Sequence, residues 1–108
     1  MKNQYIVVLI TAKDKTQAKK IGQGLLKAKL AACVNIQEGL ESFFWWQGKM
    51  DSGKETLLIV KTKQNIFEKL VLKVKVLHTY SNPEIIALPI VKGSSNYLKW
   101  IDESLKDK

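Results

Sequence analysis

Arginine is absent from this chain of 108 residues, because all eighteen of its basic residues are lysines. Arginine supplies the planar, two-pronged donor that reads guanine and clamps phosphate or carboxylate groups, so its absence argues against sequence-specific nucleic-acid recognition and against enzymes that hold phosphate in this way. Ten acidic residues leave a net charge of +8. The lysines are scattered along the sequence, so we interpret this charge as solvated surface and expect no nucleic-acid partner.

Cysteine and long apolar segments are also scarce. Cys33 is the only cysteine, which excludes an intrachain disulfide and a Cys-x-x-Cys metal or redox pair. The longest apolar run, Tyr5 to Ile10, is far shorter than the roughly 20 residues that cross a membrane, and the N-terminus lacks the pattern of a secretory signal. We therefore expect a cytoplasmic protein with no membrane partner.

The first part of the chain reads as a strand followed by a helix. The apolar run 5–10 does not alternate with polar residues, which predicts a central strand covered on both faces. Asp14, followed three residues later by Gln17, forms a capping-box pattern that opens a helix over residues 15–29.

A long hairpin is predicted next. Alternating residues begin a second strand at Ala32, and an apolar run predicts a third strand over residues 56–62. Gly48 and Gly53 lie between them at positions typical of turns, which indicates one long antiparallel hairpin.

The last part of the chain contains two helices and one more strand. Asn65 and Glu68 form a second capping-box pattern, and the apolar residues that follow recur at helical spacing. Residues 84–91 then predict a fourth strand, in which Pro89 favours a sheet edge. A capping segment at Ser94 opens the final helix.

This order of elements predicts an α+β fold of the ferredoxin-like, split βαβ type over a single domain, residues 1–108. Two helices on one face of an antiparallel sheet, with an extra C-terminal helix, leave the other face unaccounted for. The run Phe43-Phe44-Trp45-Trp46 places large aromatic rings on both sides of a hairpin strand. An exposed aromatic surface is typical of an interface, so we predict that these four residues mediate self-association.

Three segments together resemble the CutA family of divalent-cation tolerance proteins. They occur in the family's order and spacing and cover nearly the whole chain: residues 30–36, residues 42–50 with the later 59–62, and residues 78–85 with 88–90 and 97–101. The resemblance implies a ferredoxin-like homotrimer similar to the PII signalling proteins. It also implies that the protein binds divalent cations, copper among them. The metal would not be required for folding.

His78 is the only histidine, and neutral imidazole is a common ligand of copper and zinc. Glu84 lies close to it in sequence, and Cys33 could add a soft ligand, so these three residues are the candidate metal ligands. The alternatives are that His78 caps the C-terminus of the second helix and that Cys33 is a small core residue.

A second candidate site would take a small anionic ligand. Lys61, Tyr80, Glu84 and Trp46 could line a cleft between subunits, as clefts do in the similar PII trimers. Lys61 shares a sheet face with Glu55 by the period of two, so an ion pair between subunits is an equally good interpretation of that pair.

The sequence lacks the motifs expected of an enzyme that binds phosphate or of an RNA-binding domain. The glycine-rich phosphate loop and the RNP pattern of basic and aromatic residues are both missing. We expect a non-enzymatic homotrimer that serves divalent-cation tolerance by binding a metal ion or a ligand in clefts between subunits. The alternative is a signalling or structural trimer that binds a small anion or a protein partner, with indirect effects of metal.

Overall fold

The computed structural model describes residues 4–106 and confirms the predicted order of elements. An α+β fold is formed by four strands, three α-helices and a single 3₁₀ turn, with these bounds: β1 Tyr5–Ala12, α1 Lys15–Lys27, β2 Cys33–Trp46, β3 Lys49–Lys63, the turn Gln64–Ile66, α2 Phe67–Leu77, β4 Ile85–Pro89 and α3 Ser95–Ser104. The strands form one antiparallel sheet in the order β2-β3-β1-β4. β1 is therefore central and β4, which contains Pro89, is an edge strand, as predicted.

One face of the sheet carries the main core. Val8 of β1 lies opposite Val60 of β3, and both are fully buried together with Ile21 of α1 and Leu70 of α2. α1 and α2 pack on this face, which we call the helical face. Apolar residues recur every three or four positions on the helices and every second position on the strands. These apolar sides meet in the core.

The opposite face, which we call the open face, is covered only at one end. Residues 5–10 of β1 alternate between half-buried and buried, so within this chain the strand is fully covered on the helical face and only partly on the open face. Only α3 packs on the open face. The Tyr5 hydroxyl donates to the Asp102 carboxylate over 2.7 Å, and the Lys63 ammonium lies 2.8 Å from the same carboxylate. Along the β4 edge of this face, Ile86 and Leu88 stay half exposed.

β2 and β3 continue as a two-stranded hairpin beyond the end of β1, which stops at Ala12 opposite Thr56. The hairpin runs from the pair Leu40 and Glu55 to the pair Trp46 and Lys49. Its turn residues Gln47 and Gly48 have φ angles of 51° and 79°, the left-handed pair that suits the twist of a hairpin. The prediction of a second turn at Gly53 is wrong, because this glycine lies inside β3.

The helix caps are confirmed in part. Asp14 accepts from the Gln17 N–H over 2.8 Å, and Ser94 accepts from the Tyr97 N–H. Gln17 does not complete a capping box; its side-chain amide donates instead to the carbonyl of Leu77, which ties α1 to the end of α2. Asn65 caps nothing, since it lies in the 3₁₀ turn and α2 begins at Phe67 without a side-chain cap.

Three predicted bounds differ from the structure. The first helix ends at Lys27 rather than residue 29, because Lys29 adopts a left-handed φ of 61°. β3 is longer than predicted, and β4 is limited to Ile85–Pro89. No helix within residues 4–106 combines the length and apolar character needed to cross a bilayer.

Two leucines of α2 provide a matched test of this packing. Leu70 is fully buried and Leu72 is 67% exposed. We expect Leu70→Ala to lower the free energy of unfolding by about 2 to 5 kcal/mol, since it leaves a cavity in the core. Leu72→Ala removes the same atoms from a solvated position and should change stability by less than about 0.5 kcal/mol. Urea unfolding measures both, and similar losses in the two variants would contradict the described orientation of α2.

Candidate functional site

A groove of about 880 Å³ opens where the hairpin leaves the sheet. It is bounded by the end of β1, by the two strands of the hairpin and by the segment between α2 and β4. Its lining residues are Thr11, Leu40, Glu41, Ser42, Phe43, Phe44, Trp45, Trp46, Asp51, Glu55, Tyr80, Ser81, Asn82 and Glu84. The groove therefore joins segments that are more than 60 residues apart in the chain.

Tyr80 is held against the hairpin by Glu55. Its hydroxyl donates to the Glu55 carboxylate over 2.8 Å. Burial, followed by this hydrogen bond and the carboxylate charge, raises the pKa of Tyr80 to about 12. The phenol is therefore protonated at neutral pH and acts as a donor. The bond connects the segment after α2 to β3 across the groove.

His78 holds Tyr80 from the other side. Its Nε2 lies 2.7 Å from the Thr11 carbonyl oxygen, and its Nδ1 accepts the Tyr80 backbone N–H over 3.1 Å. A carbonyl oxygen can only accept, so Nε2 carries a proton. Nδ1 accepts from Tyr80 and therefore carries none. The rings of His78 and Tyr80 are also in contact, with centroids 4.7 Å apart. The one free lone pair of the imidazole is thus used to position Tyr80.

Four acidic residues are among those that line the groove. Glu55 and Asp51 lie four residues apart on β3 and share one side of the hairpin, and Glu84 directly precedes β4. Glu41 of β2 pairs with Lys54, so its side chain points to the other side of the hairpin. No lysine is among the lining residues within the part of the chain that the structure describes. The groove is therefore a locally acidic region in a chain of net charge +8, and it favours cations over anions.

The aromatic run borders this groove, with Phe44 and Trp46 on the side of Asp51, and it is largely exposed. Phe43 and Trp45 are 69% and 77% exposed, and Phe44 and Trp46 are 40% and 54% exposed. A two-stranded hairpin that extends past the sheet has no second layer to pack on, so its rings remain in solvent. An apolar surface of this kind is typical of a contact site.

The structure brings together three of the four residues predicted to bind a ligand. Tyr80, Glu84 and Trp46 all line the groove. Lys61 does not: it lies on the open face opposite Val7 and Cys33 in the strand register, and its ammonium donates to the side chain of Asn35. Lys61 and Glu55 do share the same side of β3, as predicted, but each has a different partner.

The predicted metal ligands His78, Glu84 and Cys33 are not assembled within one chain. Residues 4–106 contain no group of three His, Cys, Asp or Glu side chains placed to share an ion. Glu84 is in the groove and His78 stands behind Tyr80, whereas Cys33 begins β2 next to Asn35, with 3.6 Å between its sulfur and the Asn35 amide oxygen. A metal site that draws on a second chain stays a prediction.

Cys33 also differs from the interpretation as a core residue. It is half-buried on the open face, because its strand register places it opposite Lys61 rather than among the residues under α1 and α2. Burial and the neighbouring thiol raise the pKa of Tyr97 on α3. Val34 and Ile36 pack against the core, so the alternation of β2 turns Cys33 to the opposite side.

Glu41, Asp51 and Thr11 are groove residues that the sequence did not single out. A β-bulge between Gln37 and Leu40 shifts the alternation of β2, so residues beyond it change sides relative to residues before it. Gly39, with a φ of 83°, is the one local signal of this shift, since a glycine within a strand often marks a bulge.

Comparison with known proteins identifies one family throughout. A family model described as CutA1 divalent ion tolerance protein matches residues 6–104. A curated relative from Thermus thermophilus, the divalent-cation tolerance protein CutA, is 48% identical over 98 residues, which cover 91% of this chain and 95% of the relative. Among solved structures, CutA1 from Oryza sativa superposes with a TM-score of 0.93 at 42% identity, covering 97% of this chain and 96% of that one.

Some relatives are longer than this chain. The chloroplastic protein CutA 1 of Oryza sativa is 43% identical over 102 residues, which are 94% of this chain but only 58% of that protein. The shared region is thus the domain described above, whereas the rest of the plant protein has no counterpart in these 108 residues.

The contact between Tyr80 and Glu55 predicts a specific pH dependence. The phenol should titrate near pH 12, above its ordinary value of 10.0. Because the folded pKa is raised, the stability that Tyr80 contributes is complete below pH 10 and is lost as the pH rises toward 12. We expect Glu55→Gln to lower this pKa while leaving it above the ordinary value, since burial is the larger cause.

Tyrosinate absorbance measures these titrations, and Tyr80→Phe identifies which of the three tyrosines gives the signal. An unchanged midpoint in Glu55→Gln would show that the carboxylate does not influence the phenol.

Proposed function

The chain belongs to the CutA1 divalent ion tolerance family, and from this premise we propose that it forms a non-enzymatic homotrimer which binds a divalent cation in grooves completed by neighbouring subunits. Cation binding would then be the physical basis of its part in divalent-cation tolerance. The observation that supports this proposal best is the groove itself, whose lining combines acidic residues with exposed aromatic rings of the hairpin.

The exposed hairpin supports assembly. An isolated two-stranded ribbon is marginally stable in water, and each large aromatic ring that leaves water contributes roughly 2 to 3 kcal/mol. Packing Phe43 and Trp45 against another copy of the chain would stabilise both the hairpin and the assembly. The open face adds further apolar side chains at Ile86 and Leu88, each about half exposed.

The acidic residues support cation binding, because carboxylate oxygens suit hard divalent ions. Within one chain they do not form a complete set of ligands among the described residues, so a neighbouring subunit would have to supply the rest. Copper prefers imidazole or thiolate ligands. To ligate copper through Nδ1, His78 would have to give up its hydrogen bond from the Tyr80 N–H, so a copper site would require the segment after α2 to move or a second chain to contribute.

The acidic lining argues against the alternative of a small anionic ligand. Such a ligand would meet Asp51, Glu55 and Glu84, while Lys61, the residue predicted to attract it, is not among the lining residues. An anion would gain nothing from this lining without basic groups from another subunit.

Assembly is tested by the mass of the protein in solution. We expect light scattering to give three times the chain mass of 12.3 kDa for the unmodified protein. Replacing Phe43 and Trp45 together by Ser should reduce that mass, because it removes the most exposed apolar surface of the hairpin. Leu72→Ser makes a similar change on the outward side of α2 and should leave the mass unaltered. A mass of one chain for the unmodified protein would refute the proposed trimer.

Cation binding is tested by calorimetric titration with Mn²⁺ and with Cu²⁺ separately. We expect saturable binding that Glu84→Gln weakens about tenfold, a loss of roughly 1.4 kcal/mol for one charged ligand. Glu103→Gln, on the exposed side of α3, removes the same charge outside the groove and should have little effect. Binding that is equally weakened by both changes, or that never saturates, would contradict a site in the groove.

A further inference from the structure

The outward surface of α1 and α2 is strongly basic and has an apolar centre. Three lysines of α1 and three of α2 surround two aliphatic side chains on this surface, which we call the lysine face: Lys19, Lys20, Lys27, Lys69, Lys73, Lys75, Leu72 and Val76. The two helices lie side by side, with Lys73 reaching toward Gly24 of α1. The groove does not include any of these residues.

The aliphatic residues are exposed because of their position in the helical turn. Leu70 and Val74 of α2 are fully buried against the sheet, whereas Leu72 and Val76 are 67% and 79% exposed. Residues four apart stack along one side of a helix. Leu72 and Val76 therefore form a short apolar ridge that points away from the core, and no packing requirement within the chain explains them.

The charge around this ridge is predominantly positive, with Glu68 as the one acidic residue, a turn before Leu72. α1 contains four lysines and no acidic residue, and α2 contains three lysines and only Glu68. Among residues 4–106 the two ion pairs use Lys15 and Lys63, neither of which belongs to the lysine face. The lysines are dispersed in the sequence, but folding the two helices side by side gathers them onto one surface.

We propose that the lysine face docks on the surface of an anionic phospholipid bilayer. The lysines would contact the anionic headgroups while Leu72 and Val76 enter the boundary with the acyl chains, which is the arrangement of interfacial amphipathic helices. The expectation of no membrane partner rests on the lack of a spanning segment and of a secretory signal, and docking of this kind requires neither. The proposal is independent of cation binding, because the helices and the groove are separate surfaces.

A polynucleotide fits this surface less well. Phosphate backbones gain nothing from an exposed aliphatic ridge, and recognition of single strands depends on aromatic stacking. The exposed aromatic rings of this chain lie on the hairpin and on α3 rather than on α1 or α2. The combination of lysines with Leu72 and Val76 is what favours the lipid surface.

Vesicle flotation tests the proposal directly. We expect the full chain to bind vesicles of about three parts phosphatidylserine to seven parts phosphatidylcholine, and not vesicles of phosphatidylcholine alone. Binding should be lost at about 0.5 M salt, where charge interactions are screened within a few ångströms. No binding to the anionic vesicles at low salt would overturn the proposal, as would binding that is insensitive to salt.

Paired variants locate the contact. Lys69→Gln with Lys75→Gln should weaken vesicle binding roughly twentyfold, since each basic residue near an anionic surface contributes about a fivefold factor. The control, Lys49→Gln with Lys54→Gln, removes the same charge from the hairpin and should have a much smaller effect. Leu72→Ser should also weaken binding, with the fold checked by circular dichroism. Loss of binding in the hairpin pair but not in the α2 pair would assign the contact to the aromatic hairpin and contradict the proposal.

Discussion

A β-sheet has two faces, and this chain covers only one of them along its whole length. α1 and α2 bury the helical face, where Val8, Leu58 and Val60 are fully inaccessible to water. α3 has ten residues and reaches only the end of the open face near Tyr5 and Lys63. Part of the open face and the hairpin remain exposed because the chain has no further helix to pack on them.

The groove is organised by a short series of hydrogen bonds. Thr11 at the end of β1 accepts from His78 at the end of α2, His78 accepts from the Tyr80 backbone, and the Tyr80 hydroxyl reaches Glu55 on β3. This series connects the core sheet, a helix terminus and the base of the hairpin. It gives the single histidine a positioning role in the isolated chain. A ligand that displaced Tyr80 would break its bond to Glu55 at the base of the hairpin.

Local signals in the sequence predicted the fold well. The order of elements, the caps at Asp14 and Ser94 and the edge position of Pro89 depend on nearby residues, so they could be read directly. The face of the sheet to which a strand side chain points is harder to predict, because it depends on how the strands are paired. Cys33 and Lys61 face away from the helices, and the bulge before Leu40 changes which residues of β2 share a side with Glu55 and Asp51. The contact of Tyr80 with Glu55 spans 25 residues and leaves no local signature. The family resemblance supplied what alternation and capping could not: the expectation that these segments form one site.

The central claim is that other copies of the chain cover the aromatic hairpin. Hydrogen exchange of the backbone amides in residues 40–46 and 50–55 of the intact protein tests it most directly, because amides exchange slowly only where opening is costly. The account predicts protection comparable to that of the central strand β1. Exchange as fast as that of an isolated two-stranded ribbon, at concentrations where the protein is fully folded, would contradict it.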